Sequence, residues 1–145
     1  DSVLQENMSL SLRYGNIFSV IIIDIDFFKK INDNFGHQVG DDVLKECSYI
    51  LSQNIRNVDT LGRWGGEEFL VVCPETLKDG AKDLAIKLNK AIKLHKFSTY
   101  PHSVTISVGV ASCSVKDLNY DDIISNADKA LYEAKNNGRD RVEIF

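Results

Sequence analysis

The run FSVIIIDID, Phe18 to Asp26, constrains the fold more than any other part of the chain. It is β-branched and almost continuously apolar, with no alternation that would leave one face wet. Such a strand must be covered on both faces, so it belongs inside a layered domain. A chain of 145 residues, 43% of them apolar, can fill one such core. The charged fraction of 26% is ordinary for a globular domain, which sets disorder aside.

The rest of the pattern supplies the covering layers. Residues 3–14 fit the end of a helix, with Val3, Leu4, Met8 and Leu12 on one side. After the strand, a short helix is predicted from Phe27 to Asn32. A loop over NDNFGHQVGDD follows, and Asp41 or Asp42 starts the next helix. There Val43, Leu44, Cys47, Ile50, Leu51 and Ile55 fall at helical spacing. Thr60 to Trp64 and Phe69 to Cys73 predict two strands around Gly65-Gly66, a pair that tolerates the positive φ of a tight hairpin. A helix from about Leu77 to Lys96 turns Ala81, Leu84, Ala85, Leu88, Ala91 and Ile92 inward. SVTISVGVA, Ser103 to Ala111, alternates with Val104, Ile106, Val108 and Val110 on one face. A helix from about Tyr120 carries Ile123, Ile124, Ala127, Ala130, Leu131 and Ala134. Gly138 ends it, before a last strand from Arg141 to Phe145. The order β-α-α-β-β-α-β-α-β predicts an α+β domain of palm-like, ferredoxin-like type, with a central, mostly antiparallel sheet flanked by helices.

Composition narrows the function classes. A net charge of −4 argues against nucleic acid as the main partner, though not against a small phosphorylated ligand. Cys47, Cys73 and Cys113 lie far apart in apolar patterns without metal spacing, which predicts reduced, buried thiols in a cytoplasmic domain. His37, His95 and His102 are also scattered, so no zinc site is expected. No signal-peptide pattern and no bilayer-length apolar run occur, and no membrane contact by this domain is expected.

The chemistry concentrates at RWGGEEF, Arg63 to Phe69, where two carboxylates directly follow two glycines. In a sheet of this type the hairpin can lie beside the end of the first strand, near Asp24. Mg²⁺ prefers oxygen ligands and keeps several waters, so one or two carboxylates plus ligand phosphates suffice to hold it. Alternation along a strand sends Glu67 and Glu68 to opposite faces, so only one of them faces Asp24. Asp26 shares the parity of Asp24 and also precedes Phe27 as a helix cap. By pattern alone a solvated acidic turn and a metal ligand both stay open.

DIDFFKKINDNFGHQVGDDVL followed by RWGGEEF resembles the GGDEF-domain diguanylate cyclases in their GGEEF variant, with Gly65, Gly66, Glu67, Glu68 and Phe69 at the signature. VTISVGVA and ADKALYEAKNNGRDRV match later blocks of that family, so the resemblance covers residues 17–145. It implies a fold similar to the catalytic domains of class III nucleotidyl cyclases and the palm of polymerases. Residues 1–145 are then a single GGDEF domain, with 1–16 the end of an N-terminal helix. The family's opening Asp-x-Leu-Thr-Gly-Leu and Asn-Arg-Arg signatures are missing, which suggests a domain excised from a longer bacterial protein.

The resemblance also implies roles. Mg²⁺ or Mn²⁺ falls on the carboxylate of Asp24, the carbonyl of Ile25 and the carboxylate of Glu67, which matches the proposed general base as well. Lys29 matches a position assigned to transition-state stabilisation. Glu68 is typical of the family, and a contact within the hairpin is its alternative role. Asn32 and Asp41 match the guanine-binding pair: a carboxylate can accept from N1–H and the 2-amino group of guanine, whereas adenine has no N1–H. The alternatives are a loop-entry Asn bonding its own backbone and a plain helix cap. His37 matches a residue that shapes the loop. Phe27 and Phe28 offer backbone N–H groups to phosphate at a helix start. Lys135 and Arg139 match residues that hold the terminal phosphates; a basic helix end that complements the dipole is the alternative. Arg56 and Asp59 of RNVD match the optional RxxD inhibitory site, against an ordinary helix-end ion pair.

The implied activity is condensation of two GTP into cyclic di-GMP and two pyrophosphates by a homodimer of domains, with product inhibition. The rival is a catalytically silent domain that binds GTP or cyclic di-GMP. The intact signature, Asp24, Lys29, Asn32 and Asp41 count against it. An adenylyl-cyclase-like or polymerase-like enzyme is the second rival. Asn32 with Asp41 speaks against adenine, and the lack of a basic groove speaks against a template strand.

Overall fold

The computed structural model describes residues 2–14, 17–113 and 119–145. The expected end of the N-terminal helical segment at residue 16 therefore lies outside the described residues. The elements are α1 (Ser2–Arg13), β1 (Phe18–Ile25), α2 (Phe28–Phe35), α3 (His37–Asn54), β2 (Thr60–Arg63), β3 (Glu68–Pro74), α4 (Lys78–Leu94), β4 (Ile106–Cys113), α5 (Tyr120–Asn136) and β5 (Arg141–Ile144). Five strands form one sheet in the order β2-β3-β1-β4-β5. Its pairings are antiparallel except β4 with β5.

β1 is the central strand and all eight of its residues are buried, as its unbroken apolar character requires. Its odd positions Ile21, Ile23 and Ile25 pack with Val43, Cys47 and Leu51 of α3 and with Ala81, Ala85, Leu88 and Ile92 of α4. Its even positions Phe18, Val20 and Ile22 pack with Leu4 and Met8 of α1 and with Ile123, Ala127 and Leu131 of α5. Asp24 shares this even parity and so emerges on the α5 side. Ile106, Val108 and Val110 of β4, with Val104 just before it, do join one core, but the other face of β4 is buried too. On that face Gly109 has no side chain because α5 lies so close. A Cβ on Gly109 would sit 2.2 Å from the Ala127 carbonyl oxygen and 2.4 Å from the Leu131 nitrogen.

Three local expectations are corrected. α3 begins at His37, not at Asp41 or Asp42, because Gly36 turns sharply at φ 91° and serves as both the end of α2 and the start of α3. Gly65 and Gly66 do not adopt positive φ; among the described glycines only Gly36 and Gly138 do. Asp26 is not a cap: α2 has Phe27 as its N-cap residue and no side-chain capping bond. The start of α5 is capped as its sequence allows, with Asn119 and Asp122 exchanging side chain-to-backbone hydrogen bonds.

All three cysteines are buried, and burial pushes the thiols of Cys47 and Cys73 up to about 12. No helix among the described residues is long and apolar enough to cross a membrane.

Glu46 ties α3 to the segment after α4. It accepts from His95 Nε2 at 3.0 Å, the Ser98 amide at 3.1 Å and the Ser98 hydroxyl at 2.7 Å. Burial opposes its charge, but these hydrogen bonds and the His95 charge outweigh it and lower the carboxyl pKa. A lowered carboxylate pKa gives stability that is present above the unfolded-state value and is lost as pH falls through the folded value. Glu46→Gln should therefore cost about 1 kcal/mol or less at pH 7, given its solvent screening. The difference from wild type in urea midpoint should shrink between pH 7 and a pH well below the ordinary glutamate value of about 4.3. An equal difference at both pH values would contradict the assignment.

Candidate metal and phosphate site

Asp24 stands near the end of β1, opposite Glu68 of β3 and Ser107 of β4. Directly opposed residues share a face, so Glu68 is the cross-strand neighbour of Asp24. Parity allowed only one of the two acids near Asp24, but Glu67 lies in the turn before β3, where strand alternation does not apply, and lines the same cleft as Asp24. Its carbonyl accepts from the Ile25 amide at 3.3 Å, which stitches the turn to the end of β1. The turn is closed by Trp64 N–H donating to the Glu68 carbonyl at 2.8 Å. Arg63 braces it by donating from Nε to the Gly65 carbonyl at 3.4 Å and from Nη2 to the Gly66 carbonyl. Glu67 is thus mounted on a fixed turn.

The cleft has a volume of about 340 Å³ and is lined by Asp24, Ile25, Phe27, Phe28, Lys29, Lys30, Glu67, Lys135 and Arg139. Lys135, in the last turn of α5, forms an ion pair with Asp24 Oδ2. Asp24 Oδ1 is buried and has no hydrogen-bond partner among the described residues. An orphaned, buried carboxylate oxygen is costly and calls for a cation. Glu68 gives the same indication. Burial first, then the charges of Asp24, Asp128 and Glu67, push its carboxyl above the usual range, and Lys135 opposes the shift. No group of three or more His, Cys, Asp or Glu among the described residues is placed to hold a metal ion. The donor set here is two carboxylates and a backbone carbonyl, which suits a hard ion that retains waters and phosphate oxygens.

The positive side of the cleft comes from two helix ends. Phe27 is left-handed at φ 58°, and α2 makes its first helical hydrogen bond from Ile31 to Phe27. The amides of Phe28, Lys29 and Lys30 therefore have no intrahelical partner, the arrangement that suits an anion. Lys29 and Lys30 flank these amides. Beyond the C-cap of α5, Arg139 lies 4.7 Å from the centre of the Phe27 ring and Lys30 Nζ lies 4.9 Å from it. Sequence reasoning passed over Lys30; its only signal was adjacency to Lys29.

Asn32, His37 and Asp41 are not among the residues lining this cleft. They lie on the neighbouring α2–α3 edge. Asn32 is inside α2, not at a loop entry, and its side chain lies against Gly40 so closely that a Cβ there would be 1.7 Å from Oδ1. Asp41 is exposed within α3, which removes the capping alternative, and His37 is the exposed first residue of that helix.

Arg56 and Asp59 meet each other at the far end of β2 from the hairpin. Arg56 donates to Asp59 from Nε at 3.1 Å and from Nη2 at 2.8 Å, and also to the Thr76 hydroxyl. The Asp59 side chain is wholly buried, whereas that of Arg56 is 52% exposed, so only Arg56 faces solvent.

A family model described as "Diguanylate cyclase, GGDEF domain" matches residues 1–141. Diguanylate cyclase A of Treponema denticola is 44% identical over 128 residues, which cover 87% of this chain and 34% of that protein. Response regulator PleD of Caulobacter vibrioides is 40% identical over 133 residues, 88% of this chain and 29% of that protein. The chain thus spans about a third of the length of these curated relatives. Among solved structures, the GGEEF domain of a diguanylate cyclase from Vibrio cholerae superposes with a TM-score of 0.91 at 35% identity, covering 99% of this chain and 92% of that one. The GGDEF domain of DgcB from Caulobacter crescentus, in complex with c-di-GMP, gives 0.91 at 25% identity, covering 99% and 86%.

Proposed function

The chain belongs to the diguanylate cyclase GGDEF-domain family, and on that premise we propose that it condenses two GTP into cyclic di-GMP and two pyrophosphates. One observation carries this reading: Asp24, Ile25, Glu67, Lys29, Lys135 and Arg139, drawn from separate stretches of sequence, line one cleft. Bound Mg²⁺ or Mn²⁺ would neutralise triphosphate charge and lower the pKa of a 3′-hydroxyl. Asp24, the Ile25 carbonyl and Glu67 would hold it. Lys135 would then leave Asp24 for the terminal phosphates alongside Arg139, and the first-turn amides of α2 would take the neighbouring oxygens. Glu67, mounted on the braced turn, is placed to accept the proton of the attacking hydroxyl.

Each domain binds one GTP, so the attack joins two domains facing each other and a homodimer is the working form. Positioning and charge stabilisation supply the catalysis. The rate of cyclic di-GMP formation per protein should therefore climb steeply with protein concentration in the monomeric range, as followed by light scattering beside the assay. A specific rate independent of concentration would contradict the two-domain reaction.

Asn32 and Asp41 read the base. Asp41→Ala should reduce the preference for GTP over ATP in side-by-side titrations, because guanine donors left unpaired typically cost about 1–3 kcal/mol. An unchanged ratio would remove Asp41 from base recognition.

Product inhibition is assigned to the RxxD pair. The buried Asp59 orients the guanidinium of Arg56, whose open side can meet a guanine edge or phosphate of cyclic di-GMP. Arg56→Ala should abolish calorimetric binding of cyclic di-GMP and lengthen the linear phase of progress curves while keeping the initial rate. Equal affinity in both proteins would return Arg56 to a plain ion pair.

A further inference from the structure

Asp26 has no part in the cleft lining, yet its carboxylate is among the most engaged in the fold. The side chain is 1% exposed. It accepts from the Thr105 hydroxyl at 2.7 Å, the Ser107 hydroxyl at 2.6 Å and the Asp140 amide at 2.9 Å, and Arg139 Nη1 lies 4.0 Å from Oδ1. An acceptor-only group can be buried this fully because both oxygens are engaged. The hydroxyls come from β4 and the segment before it, and the amide from the turn after α5. Asp26 is therefore a junction between the strand that carries Asp24 and the turn that carries Arg139.

That turn is unusual. Gly138, Arg139 and Asp140 all have positive φ, at 120°, 64° and 45°, and the last two are L residues in a region they normally avoid. Such a conformation persists only where the surroundings over-determine it. Backbone bonds hold part of it, with the Arg139 amide donating to the Ala134 carbonyl at 2.9 Å, and two side-chain anchors hold the rest. Asp26 takes the Asp140 amide, and the Asp140 carboxylate is held by Asn89 Nδ2 at 3.2 Å and Lys93 Nζ at 2.8 Å. The result is a backbone reversal that lays the Arg139 guanidinium over the Phe27 ring, beside Lys135 in the cleft. Phe27, the residue after Asp26, is itself left-handed at φ 58°.

We propose that Asp26 is the positioning residue for the phosphate end of the cleft: it fixes the left-handed Arg139–Asp140 turn so that Arg139 meets the terminal phosphates of the nucleotide. The proposal rests on the reading of this cleft as a triphosphate site. Asp26→Asn retains an amide oxygen for the Asp140 N–H and the Thr105 hydroxyl, and its NH₂ can donate to the Ser107 hydroxyl. Asp26→Ala retains neither.

Binding of GTP and of GMP is measured by calorimetry in the Glu67→Gln background, so that nucleotide is not consumed. Asp26→Ala should weaken GTP by about tenfold, as Arg139→Ala should, and leave GMP unchanged. The double variant should bind GTP no worse than either single one. Asp26→Asn should stay within about twofold of wild type, since one acceptor still serves the turn. Equal loss of GTP and GMP in Asp26→Ala, or full GTP affinity there while Arg139→Ala loses it, overturns the proposal and leaves the cleft reading standing. Unchanged GTP affinity in Arg139→Ala overturns both. Hydrogen exchange in wild type needs no variant that could misfold: the Asp140 amide should be protected like the sheet, and exchange at the rate of an exposed loop would overturn the assignment.

Discussion

Glu67→Gln should lower the rate of cyclic di-GMP formation by about 10²–10⁴-fold, the range for loss of a positioned general base, with no change in unfolding midpoint. Two observations make the effect large on activity and small on stability. Glu67 lies in a turn, outside both core clusters, so its replacement removes no packing. It also lines the cleft with Asp24, Lys29 and Lys135, so the amide loses both a charge for the metal and a proton acceptor. GTP affinity should change only modestly, because Lys135, Arg139, Asn32 and Asp41 are untouched. Parallel assays of Glu67→Gln and Glu68→Gln separate the two acids. Near-normal turnover in Glu67→Gln with loss in Glu68→Gln would move the chemistry to the cross-strand partner of Asp24.

Gly109→Ala should have the largest effect on stability, on the order of 3 kcal/mol or more. The new methyl would meet backbone atoms of α5 at 2.2 and 2.4 Å, which cannot turn aside as a side chain would. The helix would have to lift from β4, and α5 carries Ile123, Ala127 and Leu131 into the core and Lys135 into the cleft. Activity should fall with stability for that reason. Urea denaturation of both proteins measures it. An unchanged midpoint would mean that α5 can shift without cost, and the close packing of that face would lose its meaning.

The layered sheet was legible because its signal is continuous. An apolar run like Phe18 to Ile25 permits few environments, and the helical spacings around it name the covering faces. Residues that depend on convergence were less legible. Asp26 is the clearest case. Its partners Thr105, Ser107 and Asp140 lie far along the chain, so only its local position before Phe27 was visible, and that position suggested a cap. The start of α3 was missed because Gly36 provides the reversal by backbone conformation, with no polar side chain to announce it. Strand parity allowed only one of Glu67 and Glu68 to face Asp24, a rule that fails where a turn intervenes, and the choice of Glu67 came from family resemblance. Lys135 and Arg139 could be tied to the cleft only through family resemblance, since nothing in local spacing says that the end of α5 lies beside the end of β1.

The central claim is that the cleft between the hairpin and the two helix ends is a cyclase site. Incubation of the protein with GTP and Mg²⁺, with the nucleotides separated chromatographically, tests it most directly. The expected result is cyclic di-GMP with two pyrophosphates released per product, dependent on the metal and absent in Glu67→Gln. GTP or cyclic di-GMP bound but unconverted, at protein concentrations high enough for two domains to meet, would contradict it and leave a silent nucleotide-binding domain.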